Sequence, residues 1–336
     1  MILNKRAACA TLLSQDHAEQ KYAEAAKAAV EACAEDTADQ TCFICMDGAD
    51  SGEGLVRMCA CRGHSGIAHV SCLVRQAQVM VQEGLVNEED NLVPRLKRWW
   101  ICRLYKQNYR GAAATALGWA CWKTYVGRPE GDHLRNIAMQ ILADSMCDDA
   151  SGRLAILETI LNRLESEGEK LYVRGQIATC YTRLERHEEC LALRRANYEA
   201  RSASMSQGGK LQLTIDYGES LTTQREPEAV DFSRELVART KREFGEDSAV
   251  TERCLMMYGR ALFRATKCTP EDLIEAEAIV TDVAQKYRRR LGPAHPSTQI
   301  TEAGACTIRS KIAFNGVLDE LVSEARTRGV SGLMLW

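Results

Sequence analysis

Apolar residues recur every three to four positions along most of the chain, which is the spacing of amphipathic α-helices. One such stripe, between residues 15 and 35, consists of Ala18, Tyr22, Ala25, Ala29 and Cys33. A second helix is predicted over residues 111–125, where Trp119 and Trp122 anchor the packing. Glycine, proline and charged residues at 127–132 then predict a linker.

Beyond residue 132 the sequence repeats itself. The phrases DYGESL and MYGRAL surround Gly218 and Gly259, and Gly175 and Gly304 continue the spacing of about 40 residues. FGEDSAVT and LGPAHPST form a second pair of similar phrases. The sequence of each unit predicts a helix around the glycine, a short loop and a second helix. This arrangement is typical of an α-solenoid.

The start and end of one repeat helix are also readable. Thr269 is placed to cap a helix, Pro270 suits its first position, and Asp272 completes a capping box. Gly292 is expected to end the same helix, and His295 to cap the loop that follows.

The phrase LGPAHPST resembles the long tetratricopeptide repeat of kinesin light chains, in which a Leu-Gly-Pro-x-His-Pro-x-Thr loop precedes the next helix. This resemblance implies about four to five repeats over residues 132–336. It also implies a groove that holds an extended peptide or a partner helix.

Composition narrows the function classes. The 336 residues contain 43 basic and 46 acidic side chains, a net charge of −3, so no basic surface predicts a nucleic-acid partner. The longest nearly apolar stretch, residues 111–122, is well short of the roughly 20 residues that a membrane span needs. No signal peptide is recognisable at the start, and we expect an intracellular, cytoplasmic protein.

Cysteine is unusually frequent, with 15 residues. Nine are scattered singly on helical patterns, and we expect them to pack as small apolar side chains: Cys9, Cys33, Cys121, Cys147, Cys180, Cys190, Cys254, Cys268 and Cys306.

The other six cysteines lie in one segment with a histidine at metal-ligand spacing. In chain order the candidate ligands are Cys42 and Cys45, Cys59 and Cys61, His69 and Cys72, and finally Cys102. Thiolates and a neutral imidazole suit zinc, and a Cys-x2-Cys turn brings two sulfurs to one tetrahedral ion. The segment between the pairs is rich in Gly, Asp and Ser and lacks a core of its own, so bound zinc would supply the missing stabilisation.

The phrase CACRGHSGIAHVSC, with Trp100 two residues before Cys102, resembles the RING-CH zinc domain, a relative of the RING domains of ubiquitin ligases. The resemblance covers roughly residues 41–111. Its cross-brace topology implies one zinc held by Cys42, Cys45, His69 and Cys72. It implies a second zinc held by Cys59, Cys61, Cys102 and an eighth ligand.

This sequence departs from the family pattern at that eighth position, which is Tyr105. A phenol with a pKa near 10 is a poor zinc ligand beside thiolates. Three outcomes stay open: His64 substitutes as the ligand, water does, or the second site is weak or empty.

RING-type ligases hold a charged ubiquitin-conjugating enzyme and position its thioester for attack. The resemblance assigns docking to the apolar residue between the first two ligands, Ile44, and ubiquitin contact to the basic residue after the last ligand position, Lys106. Alternatively, Ile44 packs under the zinc loop and Lys106 is an ordinary solvated charge.

We therefore expect a mostly α-helical chain in which a small RING-CH-like cross-brace domain precedes an α-solenoid. The expected parts are an N-terminal helix (1–38), the zinc domain (39–111), a connecting helix and linker (112–131) and the repeats (132–336). The expected function is that of a ubiquitin-ligase adaptor that captures a protein partner. A non-enzymatic zinc-stabilised scaffold and a PHD-like peptide reader stay open as alternatives.

Overall fold

A computed structural model describes residues 14–48, 52–57, 59, 61, 63–103, 106–201 and 205–327, without the side chains of residues 63, 64 and 316–327. Within these ranges the chain is mostly α-helical, as predicted, and contains one two-stranded antiparallel sheet. It forms two compact units, Met1–Arg186 and His187–Trp336.

The first unit contains the sheet and seven of the described helices. Its elements are α1 (Gln15–Thr37), β1 (Leu55–Arg57), β2 (Ile67–His69), α2 (Val70–Val86), α3 (Val93–Leu96), α4 (Gly111–Tyr125), α5 (His133–Ser145), α6 (Ala150–Leu161) and α7 (Glu167–Arg183). Helices α1 and α4 lie where the apolar pattern predicts them. The predicted linker is the loop between α4 and α5.

One hydrophobic core joins the cysteine-rich segment to the helices on either side of it. Buried residues from α1, from both strands, from α2 and from α4 contribute to it, among them Ala29, Leu55, Ile67, Leu73 and Leu117. Helix α1 packs on both α4 and β1. The metal-ligand segment therefore folds against a helical frame, while the four-part division of the chain stays a prediction.

Helix α4 also packs closely on α5. A Cβ atom on Gly118 would collide with the side chain of Ser145, and Thr115 Oγ1 donates to the Ser145 carbonyl at 3.0 Å. Trp119 and Trp122 are buried, as predicted. Close packing at a glycine thus fixes α5 against the frame that supports the metal-ligand segment.

The second unit is a succession of helices. They are α8 (His187–Glu199), α9 (Gln207–Gln224), α10 (Ala229–Phe244), α11 (Ala249–Arg264), α12 (Pro270–Leu291) and α13 (Pro296–Thr327). Each packs on the next along the chain. Their buried faces form a separate core, which includes Leu236, Met257, Leu262 and Val280.

The repeated loop phrases have the same conformation. Gly245 ends α10 with φ 84° and ψ 167°, and Gly292 ends α12 with φ 88° and ψ 162°. This region of backbone conformation is accessible essentially only to glycine. The threonine at the end of each phrase, Thr251 or Thr298, is fully buried.

A three-residue polar network also recurs in the second unit. Arg195 Nε donates to the Tyr217 hydroxyl at 3.1 Å, and this hydroxyl donates to Glu228 at 2.9 Å. An equivalent network follows along the chain: Arg234 Nε donates to the Tyr258 hydroxyl at 3.0 Å, and this hydroxyl donates to Glu275 at 2.9 Å. Each network links three consecutive helical segments, so the sequence repeat has a structural counterpart.

The four spacing glycines differ in what surrounds them. A Cβ atom on Gly218 would lie 2.9 Å from the Met257 sulfur, and one on Gly259 would lie 2.9 Å from Val280 Cγ2. Gly175 has no atom within 4 Å of that position, and Gly304 has only an ordinary contact at 3.9 Å. Close helix approach therefore explains two of these glycines only.

The predicted start and end of α12 are confirmed. Thr269 and Asp272 form a reciprocal capping box at the start of α12, with Pro270 as its first residue. In the following loop, the Ser297 backbone N–H donates to His295 Nδ1 at 3.1 Å, so His295 caps the loop as predicted.

The scattered cysteines follow the prediction in part. Four are buried, Cys121, Cys180, Cys190 and Cys254, and Cys33 and Cys268 are half-buried. Cys147 and Cys306 are exposed, so the expectation of core packing is wrong there. Cys147 lies in the turn after α5, and Cys306 follows the buried Ala305 on α13 and falls outside that helix's buried stripe. Cys9 lies outside the described residues.

Across the described part of the chain, none of the helices combines the length and apolar character needed to cross a membrane.

Candidate metal centre

A short hairpin and the helix after it position the third pair of candidate ligands. Strand β1 pairs antiparallel with β2, with Leu55 opposite His69. His69 ends β2 and is the N-cap residue of α2, and Cys72 lies in the first turn of that helix. Residues three apart at a helix start point to the same side, so His69 and Cys72 face one point in space.

A tight turn over residues 41–48 positions the first pair. Thr41 and Gly48 form an antiparallel bridge, the Cys42 N–H donates to the Asp47 carbonyl at 2.8 Å, and the Met46 N–H donates to the Cys42 carbonyl at 2.9 Å. Met46 takes a left-handed conformation with φ 68°. The Phe43 N–H donates to the Ile67 carbonyl at 3.0 Å, which fixes this turn against β2.

Together these elements form a four-residue cluster, which we call the first cluster: Cys42, Cys45, His69 and Cys72. Their ligand atoms all lie within 4.8 Å of one another. His69 Nδ1 lies 3.3 Å from Cys45 Sγ and 3.8 Å from Cys72 Sγ. A tetrahedral zinc with bonds of about 2.3 Å separates its ligands by about 3.8 Å, so the donor set and the spacing both fit zinc.

The imidazole of His69 is oriented by a hydrogen bond on its other side. His69 is buried, and its Nε2 lies 3.3 Å from the Gly48 carbonyl oxygen. Donation from Nε2 to this carbonyl leaves the Nδ1 lone pair facing the sulfurs, as metal-binding histidines require.

The thiols of the first cluster differ in acidity. Burial, followed by the neighbouring thiols of Cys45 and Cys42, raises the pKa of Cys72 to about 12. Burial also raises the pKa of Cys42, but backbone N–H groups outweigh it and lower the value to about 7. A metal binds thiolates and displaces these protons, so its affinity falls as the pH falls.

A second cluster contains three cysteines, Cys59, Cys61 and Cys102, whose sulfur atoms also lie within 4.8 Å of one another. Cys61 Sγ and Cys102 Sγ are 3.5 Å apart. Cys61 and Cys102 are buried, whereas Cys59 is half-buried. In the described part of the chain, no fourth His, Cys, Asp or Glu joins this group.

Cys102 lies in a turn with the same hydrogen bonds as the turn that holds Cys42. Ile101 and Asn108 form an antiparallel bridge, the Cys102 N–H donates to the Gln107 carbonyl at 2.8 Å, and the Lys106 N–H donates to the Cys102 carbonyl at 3.1 Å. Lys106, like Met46, is left-handed, with φ 55°.

Counting along this second turn, the residue that corresponds to Cys45 is Tyr105, which lies outside the described residues. His64 lies in the short 3-10 turn Gly63–Gly66, and its side chain is likewise outside the description. The described residues of the second cluster thus supply three thiolates, one ligand fewer than a structural zinc site takes.

The two residues predicted to contact partners lie on these turns. Ile44 is half-buried and packs against the core of the first unit, and its N–H donates to Cys42 Sγ at 3.4 Å. Lys106 is exposed, four residues after Cys102. Ile44 therefore combines a packing role with a partly accessible side chain.

Three supporting residues were missed by the sequence reasoning. The Glu53 carboxylate accepts from the Ser71 N–H at 2.9 Å and from the Ser71 hydroxyl, which caps α2. Arg57 Nη1 donates to the Cys61 carbonyl at 3.0 Å, and Gly48 orients His69. No sequence motif marks these roles, because Glu53 and Gly48 act on partners 18 and 21 residues away and Arg57 binds a backbone carbonyl, which any residue supplies.

Comparison with known proteins gives one finding about this site. Residues 42–80 match the model of the RING-variant domain, which includes the first cluster together with Cys59 and Cys61. The match confirms the RING-CH-like domain predicted from the cysteine spacing and ends before Cys102. The curated proteins and the solved structures that were searched contain no match to the chain.

Proposed function

We propose that this protein is a zinc-dependent ubiquitin-ligase adaptor. Its RING-variant domain docks a ubiquitin-conjugating enzyme and holds the ubiquitin thioester in a reactive geometry. This kind of catalysis works by positioning and needs no nucleophile from the ligase.

The observation that carries this proposal is the four-ligand cluster inside the segment that matches the RING-variant domain. The cluster fixes the turn that carries Ile44 and also the start of α2, because both elements supply ligands to it. A rigid turn presents a partly exposed apolar side chain to a partner at low entropic cost.

We further propose that the helical hairpins are tetratricopeptide-like repeats that capture the protein to be modified, in the cytoplasm. The recurring Gly245 and Gly292 loops and the two Arg–Tyr–Glu networks support this assignment. Repeats of this kind expose long surfaces that suit an extended peptide or a helix.

One observation favours a second candidate function. The second cluster has three described ligands where the first has four. A RING relative with an incomplete second site could serve as a binding scaffold without transferring ubiquitin. In that case the zinc module would be structural only.

The deciding experiment measures autoubiquitination by the full chain with a panel of ubiquitin-conjugating enzymes. Ile44→Ala is expected to lower the rate at least tenfold, roughly the effect of losing a buried contact at an interface centre. Val86→Ala is the matched control, because Val86 is a 70% exposed apolar residue at the end of α2. Lys106→Asn tests the ubiquitin contact, since asparagine tolerates left-handed backbone.

Zinc content and circular dichroism must be unchanged in the Ile44 variant for the result to concern docking. Transfer by Ile44→Ala at the wild-type rate would remove Ile44 from the mechanism. No transfer by the wild-type chain with any conjugating enzyme would favour the scaffold.

A further inference from the structure

We propose that the two clusters hold zinc with unequal strength because of a single side chain. In our proposal the second cluster binds zinc through three thiolates and a fourth ligand that does not come from the protein. This makes the second zinc the exchangeable one. The inference concerns metal binding and does not depend on ubiquitin transfer.

The first step of the argument is the likeness of the two turns. Both have an antiparallel bridge across the turn, a cysteine N–H bonded across it at 2.8 Å, and a left-handed residue four positions after that cysteine. These described features of the backbone therefore do not distinguish the two turns.

The second step is the side chain that each turn supplies. The first turn offers two sulfurs, those of Cys42 and Cys45, whereas the second offers one, that of Cys102, because the residue three positions later is Tyr105. Zinc prefers thiolate or imidazole to a phenol, which stays protonated up to about pH 10.

The third step is that the three thiols are already assembled. Cys61 Sγ and Cys102 Sγ lie 3.5 Å apart, near the separation of about 3.8 Å between sulfurs on a tetrahedral zinc. Arg57 fixes the Cys61 carbonyl, and Gly66 packs so closely that a Cβ atom there would lie 2.9 Å from the same oxygen. The cluster is thus built by the fold, and Cys59 is its half-buried member.

Loss of a residue that supports a ligand lowers metal affinity about 10-fold to 100-fold, and loss of a direct ligand lowers this affinity further. The second zinc is therefore expected to dissociate at least a hundredfold faster than the first.

The experiment uses the full chain loaded with zinc and challenged with a chromophoric chelator. The wild-type chain is expected to release one zinc rapidly and one slowly. Tyr105→Cys, which gives the second turn the ligand pair of the first, is expected to make both slow. Cys45→Tyr makes the reciprocal change and is expected to make both fast.

Two further variants identify the source of the fourth ligand. Under the proposal, His64→Ala and Tyr105→Phe leave the fast phase and the total of two zincs unchanged. A fall to one zinc in either variant would overturn the proposal, because the ligand would then be that side chain. Two slow zincs in the wild-type chain, or a total of one zinc in that chain, would overturn it as well. Should Cys45→Tyr fail to fold, the other three variants still decide the question.

Discussion

At the scale of single residues, the first cluster depends on how His69 is held. Its Nδ1 faces two sulfurs while its Nε2 faces the Gly48 carbonyl, so one side chain joins the end of β2 to the ligand-bearing turn. The histidine is buried, and a smaller side chain would remove both a candidate metal ligand and the hydrogen bond to the Gly48 carbonyl.

His69→Ala is therefore expected to lower the zinc content by one ion per chain and to destabilise the first unit. His69→Cys is expected to retain the ion, since a thiolate is an equally good zinc ligand. Elemental analysis of purified protein measures both. His133→Ala is the control, because His133 is exposed at the start of α5. Two zincs in His69→Ala would show that His69 is not a ligand.

At the scale of helices, close packing depends on particular glycines. Gly259 of α11 faces Val280 of α12 at a distance that leaves no room for a methyl group, whereas Gly175 of α7 faces open space. The same substitution should therefore have opposite effects at the two positions.

Gly175→Ala is expected to stabilise the chain by about 0.5–1 kcal/mol, the gain in helix propensity from glycine to alanine. Gly259→Ala is expected to destabilise it by about 1–2 kcal/mol, because overpacking costs about 1–3 kcal/mol and the propensity gain offsets part of this. Urea denaturation measures the change in the free energy of unfolding for both variants. Hydrogen exchange in α7 and α11 then shows whether the change occurs at the substituted helix. Equal shifts in the same direction would contradict the close approach of α11 and α12.

At the scale of the whole molecule, the metal clusters and the second unit are packed around separate hydrophobic cores. Both clusters lie in Met1–Arg186 and share a core with α1 and α4. The described part of His187–Trp336 has its own core and contains no group of three or more metal-ligating side chains.

Removal of zinc by a strong chelator is expected to unfold the ligand segment and leave the helices from α10 to α12 intact. The reason is that metal-binding energy supports only the unit that contains the ligands. Hydrogen exchange with peptide resolution measures this, with added zinc as the reversal control. Loss of protection in α11 on chelation would show that the two units fold together.

Much of the metal centre was predictable because ligand chemistry is local in sequence. Cysteine spacing predicted the pairs, and the turn that brings Cys42 and Cys45 together spans only the eight residues from Thr41 to Gly48. The supporting roles of Glu53 and Gly48 were not predictable, because their partners Ser71 and His69 lie 18 and 21 residues away and only the fold brings them near.

The sequence by itself determined helices α1, α4 and α12, the cap of α12 and the ligand types, since periodicity, capping and donor chemistry are properties of neighbouring residues. Only the tertiary structure decided which glycines mark close helix packing, which scattered cysteines are exposed, and that α1 and α4 share the core beneath the metal ligands. Those outcomes depend on contacts between residues far apart in the chain. Burial and steric fit determine the free energy of such contacts, and local sequence patterns do not predict them.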